Sequence, residues 1–353
     1  MFRVLSLADK DEWDSIVKSF NDYDVYYLNG YVSAFKIHGD GEPILLFFQN
    51  GEMRAIYVAM LRDISCAAPF EGKIAKGKFF DIITPYGYGG FIFDGDVSED
   101  SINQLNKELI QLMMENNIVC NFVRFSPVLS NAGLSRSSMH VQDLGKTITL
   151  DLSTEDVIWE NIISKNRNMI RKAIKSGVEI NHTHDVPELF EVFRDMYNRT
   201  MDADNAIDYY YFSKEFYESI HRDLCDNYEL FYATIGNEII AMSIMIFANG
   251  KMHYHLSGSR YEYRKLAPSN LLLYKAALWG HSQGFKLFHL GGGVGSEEDS
   301  LYKFKAAFNK HSNTQFSIGK QIFNIEAYEK LIQKRKSLDP SFIETSFFPA
   351  YRS

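Results

Sequence analysis

Cysteine is scarce in this sequence of 353 residues. Cys66, Cys120 and Cys225 are the only three, they lie far apart, and no Cys-x-x-Cys pair occurs. This scarcity excludes a disulfide framework and a zinc cage, and it indicates a reducing compartment. Two His-x-His pairs, beginning at His182 and His253, each put two imidazoles on one strand face, but no third ligand accompanies either pair. No metal site is therefore predicted.

Long apolar runs and an excess of positive charge are also missing. A largely apolar run such as residues 241–248 is far too short to span a bilayer, and charges are scattered through the first 17 residues. We therefore expect a cytoplasmic protein that is not integral to a membrane. The net charge of −8 excludes a general affinity for DNA, so contact with a polyanion would need a local basic patch.

The glycine-rich segment LGGGVGSEEDSLYKFKAAF, residues 290–308, lacks the features of a nucleotide loop. Its last glycine is followed by Ser-Glu-Glu-Asp rather than by the Lys-Ser of a Walker loop, and the acidic side chains would repel a triphosphate. The glycine spacing also differs from the dinucleotide-binding pattern. The segment instead predicts a strand that ends in glycines, where a substrate can approach the backbone closely. The candidate substrate-binding glycines are Gly291, Gly292 and Gly293.

The segment after these glycines has a helical period. At about 100° per residue, Lys305 shares one face with Leu301, Phe304 and Phe308, whereas Lys303 points the other way. A lysine on an apolar face either extends along its stem to water or directs its ammonium into a cleft, where it can hold a phosphate or a developing oxyanion. Both alternatives remain open from the helix alone.

Strand and turn signals occur in the same order twice. In each half, three strands joined partly by Asn/Gly dipeptides such as Asn50-Gly51, Gly236-Asn237 and Asn249-Gly250 are followed by a helix and a further strand. The two copies share a pattern rather than a sequence, which predicts an internal duplication of one α/β unit.

A basic helix is predicted between the two copies. It begins near Ser153 and runs to about Lys175, with Gly177 as its stop. One half of its surface carries five cations and no anion, namely Lys165, Arg167, Arg171, Lys172 and Lys175. The stripe is either a solvated face or a binding surface for a phosphate-rich ligand.

Several segments together resemble the Fem family of peptidoglycan-bridge aminoacyltransferases and the wider GNAT-like acyltransferases. They are DVYYLNGYVSAF (24–35), TPYGYGG (84–90), SKNRNMIRKAIKSGVEI (164–180), HYHLSGS (253–259), APSNLLLYKAALWGHSQGFKLFHLGGG (267–293) and DSLYKFKAAFN (299–309). The last three, in this order and spacing, are the most specific.

The resemblance implies a tandem of two GNAT-like α/β (α+β) domains, each a central mixed β-sheet flanked by helices. The first would comprise residues 1–148 plus 312–353, and the second, with the acyl-donor site, residues 149–311. In such a fold two parallel strands splay apart and expose backbone groups to the donor, and the next helix presents its N-terminus to phosphates. Here the strands would be KMHYHLSG (251–258) and FKLFHL (285–290). The residues implied to bind substrate in this region are Ser257, Arg264, Ser269 and Asn270.

The loop before that helix departs from the pattern of GNAT proteins that bind CoA. They commonly have Arg/Gln-x-x-Gly-x-Gly/Ala there. This sequence keeps Arg264 but has Ala267 in place of the glycine, and Pro268 removes an N–H donor. The departure weakens the prediction of acetyl-CoA as donor.

The predicted reaction is attack of an amine on an activated ester or thioester. By the resemblance, Lys305 becomes an active-site cation that stabilises the oxyanion or the donor phosphate. Tyr86 and Tyr88 would either bind the acceptor or pack in their loop. For Lys165, Arg167 and Arg171 the alternatives are binding of the donor and exposure to solvent. Asp81 and His255 are candidate proton acceptors.

Three functions stay open at this point. The first is transfer of an aminoacyl or acyl group to an amine of a peptidoglycan or other cell-envelope precursor, including a lipid-linked one. The second is acetyl-CoA-dependent N-acetylation of a small molecule or sugar, and the third is a catalytically silent binding protein. No cofactor is expected to be bound permanently; the donor, an aminoacyl-tRNA or an acyl-CoA, would be a co-substrate.

Overall fold

The computed structural model describes residues 1–353 and has a mixed α/β fold. Two compact units make up the chain. Unit 1 comprises Met1–Leu144 and Phe316–Ser353, and unit 2 comprises Gly145–Gln315. None of the helices combines the length and the apolar character that crossing a bilayer requires.

Unit 1 contains a mixed sheet with helices beside it. Its strands are β1 (Phe2–Leu5), β2 (Glu42–Asn50), β3 (Met53–Asp63), β4 (Phe80–Ile83), β5 (Ile92–Asp94) and β6 (Ile118–Arg124), with the N-terminal part of β7 (His140–Asp151) and most of β13 (Thr314–Ile322). Its helices are α1 (Lys10–Lys18), α2 (Asn29–His38), α3 (Glu99–Glu115) and α10 (Ile325–Leu338). Strands β1 to β4 are antiparallel neighbours, β6 is parallel to β4, and β13 is antiparallel to β6.

Helix α3 makes the crossover between the parallel strands β4 and β6. Its buried residues, Ile102, Leu105, Leu109 and Met113, recur at intervals of three or four and form the stripe that packs into the core of unit 1. Ser98 caps the first turn by accepting a hydrogen bond from the Ser101 backbone N–H. The predicted three strands, helix and strand are therefore present in this half of the chain, with the short additional strand β5 between β4 and α3.

Unit 2 repeats this order around a second set of strands. The strands are β8 (Val178–Thr183), β9 (Tyr228–Ile235), β10 (Glu238–Ala248), β11 (Lys251–Ser259) and β12 (Leu287–Gly291). The helices are α4 (Glu155–Asn161), α5 (Ser164–Lys175), α6 (Leu189–Ala203), α7 (Lys214–Asp223), α8 (Pro268–Ser282) and α9 (Ser300–Ala306). Two strands, β7 and β13, continue through the limits between the units.

Both predicted hairpins of unit 2 are present. Strands β8 to β11 are antiparallel neighbours, and α8 then carries the chain to β12, which is parallel to β11. The β10–β11 turn has positive φ at Asn249 (48°) and Gly250 (75°), as a two-residue hairpin turn requires. The C-terminal part of β7 pairs antiparallel with β12.

The predicted single helix from Ser153 to Lys175 is wrong. Thr154, not Ser153, caps α4, and the chain is extended at Ile162 and Ile163 before α5 begins. The break allows Ile162 to be buried and lets the Ile163 N–H donate to the Ala307 carbonyl at 3.1 Å. A tertiary hydrogen bond thus replaces the helical one at this point.

Candidate functional site

Strands β11 and β12 run together only briefly. Their parallel register extends from Lys251 opposite Leu287 to His253 opposite His289 and then stops, although β11 continues to Ser259. The pairing of β11 with β10 shifts register between Ile244 and Met245, which leaves His255 as the extra residue of a bulge. The two strands therefore diverge after their first residues, as the resemblance implies.

The N-terminus of α8 follows the end of β11. Ala267 adopts the left-handed conformation, with φ 58° and ψ 44°, and Pro268 occupies the first helical position, where its missing N–H is not needed. Asn270 Nδ2 donates to Asn166 Oδ1 at 2.6 Å. This bond connects the start of α8 to α5, and Ser269 lies partly exposed beside it.

Arg264 lies in the 3-10 helix before α8. Its guanidinium is 3.7 Å from the ring centroid of Tyr261, which is itself 66 % exposed. Arginine stacked on an aromatic ring keeps its outer N–H groups available to an anion. The arginine is therefore a surface cation close in sequence to the positive end of α8.

In the glycine-rich loop after β12, the Asp299 carboxylate accepts hydrogen bonds from backbone N–H groups on both sides of it. Asp299 Oδ2 accepts a hydrogen bond from the Val294 N–H at 3.2 Å, and Oδ1 accepts from the Tyr302 N–H at 2.8 Å as the cap of α9. These bonds, the one from Tyr302 foremost, lower the pKa of Asp299. A Cβ on Gly293 would lie 2.1 Å from the Glu297 carbonyl oxygen. The space beside Gly293 is thus filled by protein atoms.

Lys305 is buried at the end of β12. It is 8 % exposed, and its Nζ donates to the carbonyl oxygen of Gly292 at 2.7 Å. The ring centroid of Tyr254, on β11, lies 6.0 Å from the same ammonium. Burial lowers the pKa of Lys305 to about 8, and the Asp299 carboxylate opposes this shift. Lys303 is exposed on the outer side of α9.

His255 and Ser257 lie on β11, on the part of this strand that no longer pairs with β12. Burial, with a smaller contribution from His253, lowers the pKa of His255 to about 3, so this imidazole is neutral and only weakly basic near neutral pH. Ser257 Oγ accepts a hydrogen bond from Ser243 Oγ at 2.9 Å and can donate to the Met242 carbonyl at 3.3 Å. Ser257 therefore joins β11 to β10.

The basic helix α5 keeps its cations free of acidic partners. Lys165, Arg167 and Arg171 form ion pairs with no carboxylate in the chain. The guanidinium groups of Arg167 and Arg171 lie 5.9 and 5.1 Å from the Trp159 ring. Cations that are positioned by an aromatic ring and not neutralised can contact an anionic ligand.

Asp81 lies in unit 1 and is occupied by structural partners. It is fully buried on β4, and its oxygens accept from Arg62 Nε at 2.7 Å, from Arg352 Nε at 2.6 Å and from the Tyr351 hydroxyl at 2.8 Å. Two guanidinium groups and a phenol thus occupy both carboxylate oxygens. Asp81 therefore holds the C-terminal segment of unit 1 rather than presenting a free base.

Tyr86 and Tyr88, also in unit 1, belong to an aromatic cluster. The Tyr86 ring stacks on Phe35 with centroids 5.3 Å apart, and Tyr88 contacts Tyr26 edge to face at 5.5 Å. Burial raises the pKa of Tyr88 to about 12. Both side chains are partly buried, so each combines packing with some exposed surface.

Within unit 2 the structure brings together Lys305, the glycines after β12 and the diverging part of β11. Sequence reasoning missed two residues here, Tyr254 and Asn166. Asn166 is 2 % exposed on α5 between Ile163 and Ile170, and a polar residue at an apolar position of a helical pattern is the signal that could have identified it.

The fold and the domain match define an acyltransferase. Residues 164–305 match the model of the acetyltransferase (GNAT) domain, and this range includes both diverging strands, α8 and Lys305. This match, together with similar solved structures, confirms the resemblance to GNAT-like and Fem-like proteins and the α/β fold class. Most of unit 2 is thus similar to the acetyltransferase (GNAT) domain.

Several solved structures share the fold over nearly the whole chain. FemX is 14 % identical with a TM-score of 0.66, covering 94 % of this chain and 99 % of its own. The C-terminal domain of a protein described as a putative lysylphosphatidylglycerol synthetase, from Agrobacterium fabrum, is 13 % identical with a TM-score of 0.55, covering 89 % and 92 %. A protein of unknown function from Bacteroides thetaiotaomicron has a TM-score of 0.58 at 13 % identity, covering 91 % and 99 %. No curated protein matches the sequence.

Proposed function

We propose that this enzyme transfers an aminoacyl or acyl group to an amine of a peptidoglycan or other cell-envelope precursor, which can be lipid-linked. The observation that supports this most is the buried Lys305 ammonium at the glycine-rich end of β12, beside the strand from which β12 diverges. The similarity of the fold to FemX and the resemblance of the sequence to the Fem family support the choice of acceptor.

In the proposed reaction the amine nitrogen attacks the carbonyl carbon of the donor. The developing oxyanion is stabilised by the charge of Lys305 and by backbone N–H groups of the diverging strands. As the amide bond forms, the ester or thioester bond breaks, and the proton lost by the amine ends on the leaving oxygen or sulfur. His255 is too weak a base to hold this proton, and Asp81 is engaged by two arginines.

Donor recognition is assigned to cations and to the start of α8. One group of donor phosphates would contact Lys165, Arg167 and Arg171. A second group would contact Arg264 and the N-terminus of α8, at Ser269 and Asn270. The donor is an aminoacyl-tRNA or an acyl-CoA, and no permanently bound cofactor takes part. Tyr86 and Tyr88 are the proposed acceptor contacts in unit 1. Such donors place the proposed reaction in the cytoplasm.

A second candidate is acetyl-CoA-dependent N-acetylation of a small molecule or sugar. The left-handed backbone at Ala267 favours it, since glycine, the residue of the CoA-binding pattern at this position, adopts this conformation readily, and the alanine here adopts it too. Arg264 is also kept and accessible.

Mass spectrometry of ligands that copurify with the protein, followed by transfer assays, separates the candidates. Transfer from an aminoacyl-tRNA to a muropeptide precursor supports the first, and acetylation from acetyl-CoA without such a precursor supports the second. Neither activity, together with tight binding of either compound, would identify a silent binding protein and refute both.

A further inference from the structure

Three helices of unit 2 are joined by the side chain of Asn166. This residue lies in the first turn of α5 between Lys165 and Arg167, two of the proposed donor contacts, yet it is only 2 % exposed. A buried amide needs hydrogen-bond partners, because burial without them costs free energy. The partners of Asn166 therefore show what this side chain holds in place.

One partner is the end of α9, the helix that carries Lys305. Asn166 Nδ2 donates to the Ala307 carbonyl at 3.3 Å, and the Ile163 N–H donates to the same oxygen at 3.1 Å. Ala307 directly follows α9 and lies two positions after Lys305. Because the last carbonyl groups of a helix have no partner within it, these two bonds fix the turn from which the Lys305 side chain extends.

The other partner is the start of α8. Asn166 Oδ1 accepts a hydrogen bond from Asn270 Nδ2 at 2.6 Å, and Asn270 is the third residue of α8. A side-chain amide donates through its nitrogen and accepts through its oxygen at the same time. One side chain thereby connects the helix N-terminus that is proposed to bind donor phosphates with the helix that carries the proposed oxyanion contact.

The position of α9 determines the surroundings of the Lys305 ammonium. Its Nζ reaches the Gly292 carbonyl at 2.7 Å, and burial lowers the pKa of this lysine to about 8, against the opposing effect of Asp299. At an active site a displacement of about 1 Å can cost roughly 10²-fold in rate. A displaced α9 would also admit water to the ammonium, so the pKa of Lys305 reports the position of the helix without any need for activity.

We propose that Asn166 is a positioning residue that holds Lys305 and the start of α8 in a fixed relative position for acyl transfer. In this role the amide contacts neither donor nor acceptor and acts through α8 and α9. The inference rests on the proposed function, because Lys305 and the start of α8 have assigned roles only within it.

Asn166→Leu keeps the approximate size of the side chain and removes both polar atoms. For each folded molecule kcat should fall by about tenfold or more, and the KM for the donor should rise, since both α9 and α8 lose their contact. The KM for the acceptor, whose proposed contacts lie in unit 1, should stay close to that of the wild type. A residue that only stabilised the fold would change the folded fraction and neither KM.

The pKa of Lys305 is measured by NMR titration of the full-length protein with ¹³C-labelled lysine. The resonance of Lys305 is identified by its absence from Lys305→Met. In Asn166→Leu this pKa should rise from about 8 toward the ordinary lysine value of 10.5, because the ammonium becomes better hydrated.

Asn121→Leu is the matched control. It removes another buried amide, on β6, which is 1 % exposed and accepts a hydrogen bond from the Tyr57 hydroxyl at 2.7 Å. This substitution should lower the free energy of unfolding but leave both KM values and the pKa of Lys305 as in the wild type.

Asn166→Ser provides a second variant if leucine prevents folding. Its hydroxyl is too short to hold both partners, so it should show the same changes as leucine. An unchanged pKa of Lys305 in a folded Asn166 variant overturns the proposal, whatever the effect on kcat. A wild-type protein that transfers no acyl group refutes the proposed function instead, and the NMR titration then still decides whether Asn166 fixes Lys305.

Discussion

The ammonium of Lys305 lies 2.7 Å from the carbonyl oxygen of Gly292, the residue that directly follows β12. A positive charge is thereby fixed at the end of a strand that has just diverged from its parallel neighbour, and only 8 % of the lysine is exposed. Lys303 has the same charge on the same short helix but faces solvent. The pair of lysines separates the effect of the buried charge from that of charge in general.

Replacement of Lys305 tests the proposed oxyanion contact. Lys305→Met keeps most of the apolar stem but removes the charge, so kcat should fall by roughly 10²-fold or more, as for the loss of one oxyanion donor, with the unfolding free energy nearly unchanged. Lys303→Met is the control and should leave kcat close to that of the wild type. Equal effects of the two substitutions on turnover would remove Lys305 from the mechanism.

The activity should depend on pH through Lys305. Because its pKa is lowered to about 8 from 10.5, the folded enzyme loses this charge as the pH rises through about 8, and kcat/KM should fall there. In the unfolded chain Lys305 keeps its proton up to a pH of about 10.5. Because the unfolded state binds more protons between pH 8 and 10.5, the unfolding free energy of the wild type relative to Lys305→Met should rise over this range. A profile that stays flat to pH 10.5 would contradict the assignment.

The basic surface of α5 should respond to salt. Changing Lys165, Arg167 and Arg171 together to Gln should weaken donor binding and reduce the slope of log affinity against log salt by roughly one for each phosphate that is no longer neutralised. The matched control replaces Lys330, Lys334 and Lys336 of α10 by Gln, which alters the net charge equally. If both triple variants keep the wild-type slope, the stripe is a solvated face.

Asp81 should matter for stability. Asp81→Asn leaves the guanidinium groups of Arg62 and Arg352 without their buried counter-charge, and the free energy of unfolding should drop by roughly 3 kcal/mol. Glu326→Gln, which breaks an ion pair between exposed side chains, should have little effect in the same denaturation experiment. An Asp81→Asn protein as stable as the wild type, but inactive, would restore Asp81 as a candidate base.

Gly293 should tolerate no side chain. In Gly293→Ala the new Cβ would meet the Glu297 carbonyl oxygen at 2.1 Å and Asp299 Oδ1 at 2.4 Å. The loop must therefore shift, and the free energy of unfolding should fall by about 1–3 kcal/mol. The displaced Asp299 should also release the cap of α9 and lower turnover. Gly133→Ala is the control, because no atom lies within 4 Å of its added Cβ. Similar melting temperatures and rates for both variants would refute this account of the loop.

Local signals in the sequence predict much of this architecture. The Gly236-Asn237 and Asn249-Gly250 turns identify the hairpins of unit 2, because their positive φ angles suit few residue types. The helical period around Lys305 likewise predicts its position on the buried face of α9. Both patterns depend on residues close together in the chain, so no tertiary information is needed to read them.

Contacts between distant residues could not be predicted in this way. The partner of Lys305 is a backbone carbonyl, which every residue possesses, so no residue type reveals it. Arg62 and Arg352 lie 19 and 271 positions from Asp81, and their convergence depends on the whole of unit 1. The helix predicted from Ser153 to Lys175 fails for the same reason, since the Ala307 carbonyl that receives the Ile163 N–H is remote in sequence.

The split of unit 1 between 1–144 and 316–353 determines the order in which the chain can fold during synthesis. Strand β6 leaves the ribosome long before β13, its antiparallel partner, and Asp81 emerges 270 residues ahead of the tyrosine that binds it. All of unit 2 is translated after Asp81 and before Tyr351, so its own strands can pair with one another in this period. We therefore expect unit 2 to become protected from proteases on the ribosome first, with unit 1 incomplete until residues 316–353 have emerged.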